Sequence, residues 1–345
     1  MLIESHSIAP SQFTDLDSSF DRGRTTAEGG GVQIEIGLVN NMPDAALKHT
    51  ERQFRNLLEL GAGERLCVRM HFLSMTGVAR GAEALAYMRG RYVDVEEATG
   101  GALDALIVTG AEPRAKSLRD EVYWPQFARL MDWAERNTVS TICSCLAAHA
   151  AVLHFDRIER RAIGFKRSGV FESEAEGEHP LMRDLSSPVA TPHSRYNEVR
   201  EDDLRRAGYR ILTRSQQAGV DMFAKTRGRC LFLLLQGHPE YEACTLLREY
   251  RRDILRYLNG ERDEYPILPS NYFDSKMKWR LARFEKRARA KRSMELASDL
   301  PFSVEKNRSG ICAPSWATTA TAIYRNWLNH IAEAKRRACA ERFLV

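Results

Sequence analysis

The sequence predicts an α/β sandwich with a mainly parallel central sheet and helical additions toward its C-terminal end. Strand-like runs of β-branched and aliphatic residues alternate with amphipathic helical segments through the first half of the chain, the pattern of a sheet covered on both faces. Two such runs, far apart, end in reactive side chains. Thr138-Val139-Ser140-Thr141-Ile142-Cys143-Ser144-Cys145 turns straight into the alanine-rich Leu146-Ala147-Ala148-His149-Ala150, and Cys230-Leu231-Phe232-Leu233-Leu234-Leu235 leads into Gln236-Gly237-His238-Pro239-Glu240-Tyr241. With 345 residues, 43% of them apolar, the chain can bury a large core as one elaborated domain or as a domain with a smaller appendage.

Residues 1 to 31 are acidic and polar and end in Gly29-Gly30-Gly31; they lack the charged-then-apolar order of a secretory signal and are expected to form a flexible leader. Val32 to Val39 is a strand ending at Asn40-Asn41-Met42-Pro43, and Leu47 to Leu60 a helix apolar on one side. Cys67 to Leu73 alternates apolar and polar residues, and Leu103 to Val108 is a short apolar strand closed by Thr109-Gly110-Ala111. Trp124 to Asn137 supplies a helix with Trp124, Phe127, Leu130, Met131 and Trp133 as core candidates, followed by the strand and elbow at Cys145. After about Gly169 the character changes to antiparallel strands, Tyr209 to Thr213, Gly219 to Lys225 and Arg229 to Leu235, then a helix from Ala243 to Leu258. A last helix, Ala317 to Arg337, holds Tyr324, Trp327, Leu328 and Ile331. The organisation expected is a leader over 1–31, a main α/β domain over 32–273, a basic helix and linker over 274–312, and a C-terminal helix over 313–345 that packs on the main domain.

Charge is unevenly placed. The net charge is +5, yet the stretch from Lys276 to Arg292 holds nine basic residues against Glu285 alone, which leaves the rest of the chain slightly acidic. Met277, Leu281, Phe284 and Ala288 recur there at helical spacing, so the segment is a basic amphipathic helix with a narrow apolar stripe. A solvated surface helix explains it more simply than contact with a polyanion, and nucleic-acid binding is not expected. No apolar stretch approaches the roughly 20 residues that span a bilayer. The seven cysteines are odd in number and form no Cys-x-x-Cys knuckle, which argues against a disulfide framework and against a metal site and favours a reducing cytoplasm.

Cys145 and His238 carry the chemistry. A side chain at the junction of a strand and a helix sits beside unpaired N–H groups and the positive end of the helix dipole, where a thiolate is favoured. Cys145 also has small neighbours two positions away on either side, Cys143 and Ala147, as a tight nucleophile elbow demands. Cys67, Cys143 and Cys230 fit core positions better, and His149 fits helix packing. His238 and Glu240, two residues apart past the end of another buried strand, suit a base and the carboxylate that orients it. Both strand ends are expected to face one crevice.

A family resemblance rests on these residues and on others in the same order: Ile36-Gly37-Leu38-Val39-Asn40-Asn41-Met42-Pro43, Leu106-Ile107-Val108-Thr109-Gly110-Ala111, Tyr123-Trp124-Pro125-Gln126, Ser168-Gly169-Val170-Phe171-Glu172, Pro192-His193-Ser194-Arg195-Tyr196, Gly237-His238-Pro239-Glu240-Tyr241, and Trp316 with Asn326-Trp327-Leu328-Asn329. From about Val32 to His330 the chain resembles the homoserine O-acyltransferases of methionine biosynthesis, of the homoserine O-succinyltransferase type. The resemblance implies a class I glutamine amidotransferase-like, flavodoxin-like fold, with the segment from about Lys276 to Ile311 as an insertion relative to shorter members.

It also implies roles. Cys145 falls at the acyl-accepting cysteine, His238 at the general base and Glu240 at its orienting carboxylate. Arg252 matches the arginine that holds the amino acid's α-carboxylate, Lys166, Ser194 and Arg195 match positions lining the substrate pocket, and Glu249 is expected near the substrate ammonium. Backbone N–H groups at Leu146, Gly110 and Ala111 are expected to face the oxyanion. At the position that helps select the acyl group this chain has Arg114, where the family pattern has glycine with succinyl and glutamate with acetyl; its cation suits succinate's free carboxylate, a coenzyme A phosphate, or simply the space. The implied reaction takes an acyl group from succinyl-CoA or acetyl-CoA as co-substrate, with no bound cofactor, through an acyl-cysteine to the hydroxyl of homoserine. Small molecules are the expected partners, together with a second copy in a homodimer. A paralogue that acylates serine or another hydroxy amino acid, and a glutamine amidotransferase-type hydrolase, are the alternatives.

Overall fold

The computed structural model describes residues 32–185, 187–302, 310–312 and 314–342, so the expected leader lies outside the described residues. An eight-stranded sheet organises the chain. Its strands are β1 (Gln33–Val39), β2 (Cys67–Ser74), β3 (Tyr92–Asp94), β4 (Ala105–Val108), β5 (Ser140–Ser144), β8 (Arg210–Ile211), β11 (Met222–Arg227) and β12 (Cys230–Leu235), in the order β3-β2-β1-β4-β5-β12-β11-β8. The first six in that order run parallel, β12 included, because Leu231 to Leu235 pair in register with Ser140 to Ser144. Only β11 and β8 are antiparallel to their neighbours. A mainly parallel α/β sandwich is therefore what the alternation of strands and helices encodes: β4 and β5 are buried along their whole length, as strands covered on both faces must be.

Helices cover the two faces. On one face α1 (Leu47–Ala62) lies against α9 (Ala317–Arg342), and Phe54, Leu58, Tyr324, Trp327 and Leu328 share a core with the sheet residues Ile34, Ile36 and Leu38. Trp327 is fully buried and its indole N–H donates to Ser140 Oγ at 2.8 Å, which ties the last helix to the strand that carries Cys145. On the other face α4 (Trp124–Asn137) and α5 (Leu146–Asp156) pack together. Helix α5 is buried on every side over its first eight residues, which is why its sequence is almost continuously apolar. Two short helices, α2 (Ala82–Met88) and α3 (Val95–Ala98), flank β3.

A second sheet of four strands stands beside the first, in the order β10-β9-β6-β7: β6 (Arg161–Ala175), β7 (Val189–Glu198), β9 (Thr213–Ser215) and β10 (Gly219–Val220). Two expectations change here. The single strand expected over 209–213 is divided, Arg210–Ile211 joining the large sheet and Thr213–Ser215 the small one, with Leu212 between them donating its N–H to Met222 O at 2.8 Å. The strand expected over 219–225 is divided in the same way at Asp221, whose N–H donates to Thr213 O at 3.1 Å. Adjacent residues thus serve different sheets, which no alternation of side chains announces.

The remaining helices are α6 (Glu201–Arg206), α7 (Thr245–Leu258) and α8 (Ser275–Ala290). Helix α8 is the basic segment. Its Met277, Leu281, Phe284 and Ala288 are buried in a cluster with Leu247, Tyr250 and Ile254 of α7, and Asp274 caps it by accepting the Met277 N–H at 2.7 Å. Its cations stay outside; Trp279 is exposed with the Arg283 guanidinium 4.8 Å from its ring.

Candidate active site

Cys145 lies between β5 and α5 with φ 53° and ψ −109°, a left-handed conformation that a side-chain-bearing residue adopts only under strain. The strain is fixed by what surrounds it. The Cys145 N–H donates to Leu235 O at 2.7 Å, across to the end of β12, while the Cys145 carbonyl accepts the first helical N–H groups, from Ala148 and His149. The sulfur is thereby held up at the carboxyl edge of the sheet, at the start of α5, where N–H groups lack helical partners. Gly110 makes the same point from β4. A Cβ there would come 2.8 Å from Leu146 Cβ and 3.2 Å from Leu146 N, so only glycine allows the Thr109-Gly110-Ala111 turn to close on the elbow.

β12 delivers the imidazole. Its last residues pass through Gln236, whose N–H donates to Asp221 O, into Gly237, whose N–H donates to Asp221 Oδ1 at 3.0 Å, and into His238, whose N–H donates to Pro192 O at 2.7 Å. A Cβ on Gly237 would lie 2.6 Å from Thr191 Cγ2 and 2.7 Å from Asp221 Oδ1, so the loop that carries His238 is pressed onto β7 and onto the Asp221 junction. His238 Nδ1–H donates to Glu240 Oε1 at 2.9 Å, an oxygen that also accepts from Ser144 Oγ at 3.1 Å. The ring lies flat on Tyr241, centroids 4.3 Å apart. Burial alone would lower the His238 pKa, but the charges of Cys145 and then Glu240, with hydrogen bonds to both, raise it well above the ordinary imidazole range. Thiol, imidazole and carboxylate are therefore one connected group.

A second polar chain continues from Tyr241. Its hydroxyl donates to Glu249 Oε1 at 2.7 Å; Ser194 Oγ donates to Glu249 Oε2, which Lys166 Nζ also reaches at 3.3 Å. Lys166 donates to Asp253 Oδ2 at 2.8 Å as well, and Arg252 approaches Asp253 Oδ1 at 3.4 Å. Burial would raise the Glu249 pKa, yet the Lys166 charge, the Ser194 hydrogen bond, Arg252 and Tyr241 together hold it low. Of the residues expected here, Lys166, Ser194, Glu249 and Arg252 converge on one network. Arg195 is placed differently: it is buried and donates to His193 Nδ1, Asn197 O and Ala218 O, which braces the small sheet. His149 is a buried packing residue, its pKa lowered by burial to about 3, with Nε2–H donating to Gln236 Oε1 at 2.9 Å.

On the other side of the elbow lies a cleft of about 890 Å³, lined among others by Asn41, Arg80, Ala111, Arg114 and Tyr123. Arg114 is exposed there, and its backbone N–H donates to Glu121 Oε1 at 2.6 Å. No cluster of histidine, cysteine and carboxylate side chains among the described residues could hold a metal ion. The residues that the motifs did not single out are Ser144, Asp221, Tyr241 as a ring under the imidazole, and Asp253. Tyr241 and Ser144 stand within the quoted motifs without an assigned role; Asp221 has no local signal, since its contact depends on a turn 16 residues away.

The fold and the site define an α/β enzyme of the acyl-transfer class. Residues 23–337 match the family model described as Homoserine O-succinyltransferase. The chain is 46% identical over 330 residues to a homoserine O-succinyltransferase of Rhodopseudomonas palustris, covering 96% of each chain. It is 47% identical to one of Methylorubrum extorquens over 86% of each chain, and 45% identical to one of Bradyrhizobium japonicum over 88% of this chain and 91% of the relative. Among solved structures it is similar to a glutamine amidotransferase of Methylobacillus flagellatus, with TM-score 0.47, 13% identity and coverage of 87% and 96%, and to one of Thermotoga maritima, with TM-score 0.45, 11% identity and coverage of 87% and 98%. The chain belongs to the homoserine O-succinyltransferase family.

Proposed function

We propose that this protein is a homoserine O-acyltransferase of methionine biosynthesis that takes a succinyl group from coenzyme A, holds it briefly on Cys145 and passes it to the side-chain hydroxyl of homoserine. The observation that carries the reading is the connection of Cys145, His238 and Glu240 on a strained elbow, within a chain of this family.

The charges supply an order of events. His238 keeps its proton because Cys145 and Glu240 favour the imidazolium. The Cys145 thiolate attacks the thioester carbonyl of the donor, and the N–H groups of Leu146 and of the Gly110-Ala111 turn face the developing oxyanion. The tetrahedral adduct expels coenzyme A, whose sulfur takes the proton from His238, and a thioester to Cys145 remains. Acylation removes the sulfur's negative charge, the first of the causes that raise the imidazole pKa, so His238 then becomes a base. It takes the hydroxyl proton of homoserine as that oxygen attacks the acyl-enzyme; the thiolate departs and the starting ion pair is restored. Glu240 holds the tautomer throughout by accepting from Nδ1.

The network around Glu249 supports placing the amino acid on that side. Glu249 is anionic and suits an ammonium, and Arg252, half exposed beside it, suits a carboxylate. The donor then enters from the cleft, where the exposed Arg114 offers a cation to the incoming anionic donor. A cytoplasmic homodimer completes the reading; all seven cysteines are free, and no helix among the described residues is long and apolar enough to cross a membrane. The test is release of free coenzyme A from succinyl-CoA and from acetyl-CoA in the presence of homoserine or serine. Homoserine-dependent release with succinyl-CoA preferred is expected; release with serine alone, or glutamine hydrolysis without acyl transfer, would overturn it.

A further inference from the structure

Two polar groups, one on the wall of the cleft and one within electrostatic reach of Cys145, have no hydrogen-bond partner among the described residues. Arg160, in the loop between α5 and β6, is half-buried and makes no hydrogen bond or ion pair among the described residues. Tyr123, on the wall of the cleft, is 7% exposed, and its hydroxyl is a buried polar atom without a hydrogen-bond partner. The two lie close enough to influence each other's charge, and Arg160 is in electrostatic reach of the Cys145 sulfur and of Glu121 as well. Glu121 does not neutralise it by contact: its Oε1 is held instead by the backbone N–H groups of Arg114 and Ala115, at 2.6 and 2.7 Å.

A guanidinium taken half out of water with nothing to bind is costly, and so is a buried hydroxyl left unpaired. Burial pushes the Arg160 pKa below its ordinary value, with Tyr123 and then Cys145 pulling the other way, yet an arginine remains charged at any working pH. The pair is thus a donor on the cleft wall and, within its electrostatic reach, a cation that also senses Cys145; Glu121 and Glu159 attract that cation from a distance, but no anion touches it among the described residues. We propose that Arg160, with Tyr123 beside it, binds the free carboxylate of the succinyl group and is the residue that makes a dicarboxylic acyl chain the preferred donor.

Distance decides between anions. The succinyl carboxylate is only four carbons from the thioester sulfur, whereas the coenzyme A phosphates are a whole pantetheine arm away, so a cation that senses Cys145 itself meets the acyl chain's end; Arg195 senses Cys145 too, but its donors are held by His193, Asn197 and Ala218. Homoserine's carboxylate is met instead by Arg252, beside Asp253 in the Glu249 network. Arg114 differs from Arg160 in being exposed at the cleft, where it can guide the donor but is shielded by water.

This inference rests on the acyl-cysteine reading, and the test separates the two. Succinyl-CoA and butyryl-CoA have acyl chains of the same length that differ at the terminal carboxylate. Steady-state kcat/KM for both, and the rate of mass gain on the protein without homoserine, are measured for the unaltered chain, Arg160→Met, Arg160→Lys and Tyr123→Phe. Arg160→Met should lower kcat/KM for succinyl-CoA about tenfold or more while butyryl-CoA changes less than about threefold. Arg160→Lys should recover part of the loss, and Tyr123→Phe should give a smaller loss of the same kind. The same selectivity should persist when the succinyl group is carried on N-acetylcysteamine, which has no phosphates. An equal fall for both donors, a loss confined to KM for homoserine, or a loss that vanishes with the cysteamine thioester would overturn the assignment. If the unaltered chain gains no mass with any donor, the acyl-cysteine step fails, while the steady-state ratio still judges Arg160.

Discussion

The two sides of Cys145 differ in how far their polar groups are engaged, although Glu240 Oε2 is unpaired on one side and Arg80 and Glu121 are paired on the other. On the side of β12 and α7 the polar groups are engaged with one another: His238 with Glu240, Tyr241 with Glu249, and Lys166 with both Glu249 and Asp253. On the side of the cleft the Tyr123 hydroxyl and Arg160, within its electrostatic reach, lie unpaired among the described residues, and the walls come from the loops after β1, β2 and β4 and from the residues that lead into α4. The closed side is preorganised, so its geometry exists before any substrate arrives and its polar groups need no reorganisation during the reaction. The open side has its donors waiting for an anion from outside. The difference suggests that the acceptor half of the reaction is governed by a rigid network and the donor half by ligand charge.

Substitutions on the two sides should therefore fail differently. His238→Ala removes the proton carrier at the junction and should lower kcat by about a thousandfold or more, read as homoserine-dependent release of coenzyme A. Glu240→Gln keeps the shape but removes a charge that raises the imidazole pKa, so the limb of the kcat/KM profile that reports His238 should move to lower pH. The sign is firm: losing a stabilising anion weakens the imidazolium. The rate should drop by about tenfold to a hundredfold, and an unmoved limb would detach Glu240 from His238. Glu249→Gln should raise KM for homoserine by about tenfold with little change in the rate of acyl-enzyme formation, since it disturbs only the closed side; equal damage to both half-reactions would erase the distinction. Arg114→Gly on the open side should have the smallest effect, a severalfold change in the ratio of succinyl-CoA to acetyl-CoA turnover and less than about 0.5 kcal/mol in urea unfolding, as for an exposed side chain with no buried partner.

The candidate site is legible in the sequence because its pieces are local. The β-branched run into Cys145 and the spacing of His238 and Glu240 each fall within a few residues, and the apolar strands that bring them together are long enough to be seen. The parallel pairing of β5 with β12 was harder, since 229–235 also forms a hairpin with 222–227. The hairpin of β6 and β7 left little trace because the first six residues of β6 are exposed or half-buried and do not alternate. Asp221 and Arg160 are not legible for another reason: Asp221 accepts the Gly237 N–H from across the fold and Arg160 has no hydrogen-bond partner among the described residues, and neither property belongs to a short stretch of chain. The hydrogen bonds of Arg195 to His193, Asn197 O and Ala218 O have no local signal either, although it too lies within electrostatic reach of Cys145.

The central claim is that Cys145 carries the acyl group. Intact-mass measurement after mixing the protein with succinyl-CoA, without acceptor, should show one added succinyl group that disappears on adding homoserine and never forms in Cys145→Ala. A protein that turns over normally with no mass gain in rapid-quench samples, or a Cys145→Ala variant that gains and transfers the group as well as the original, would contradict it.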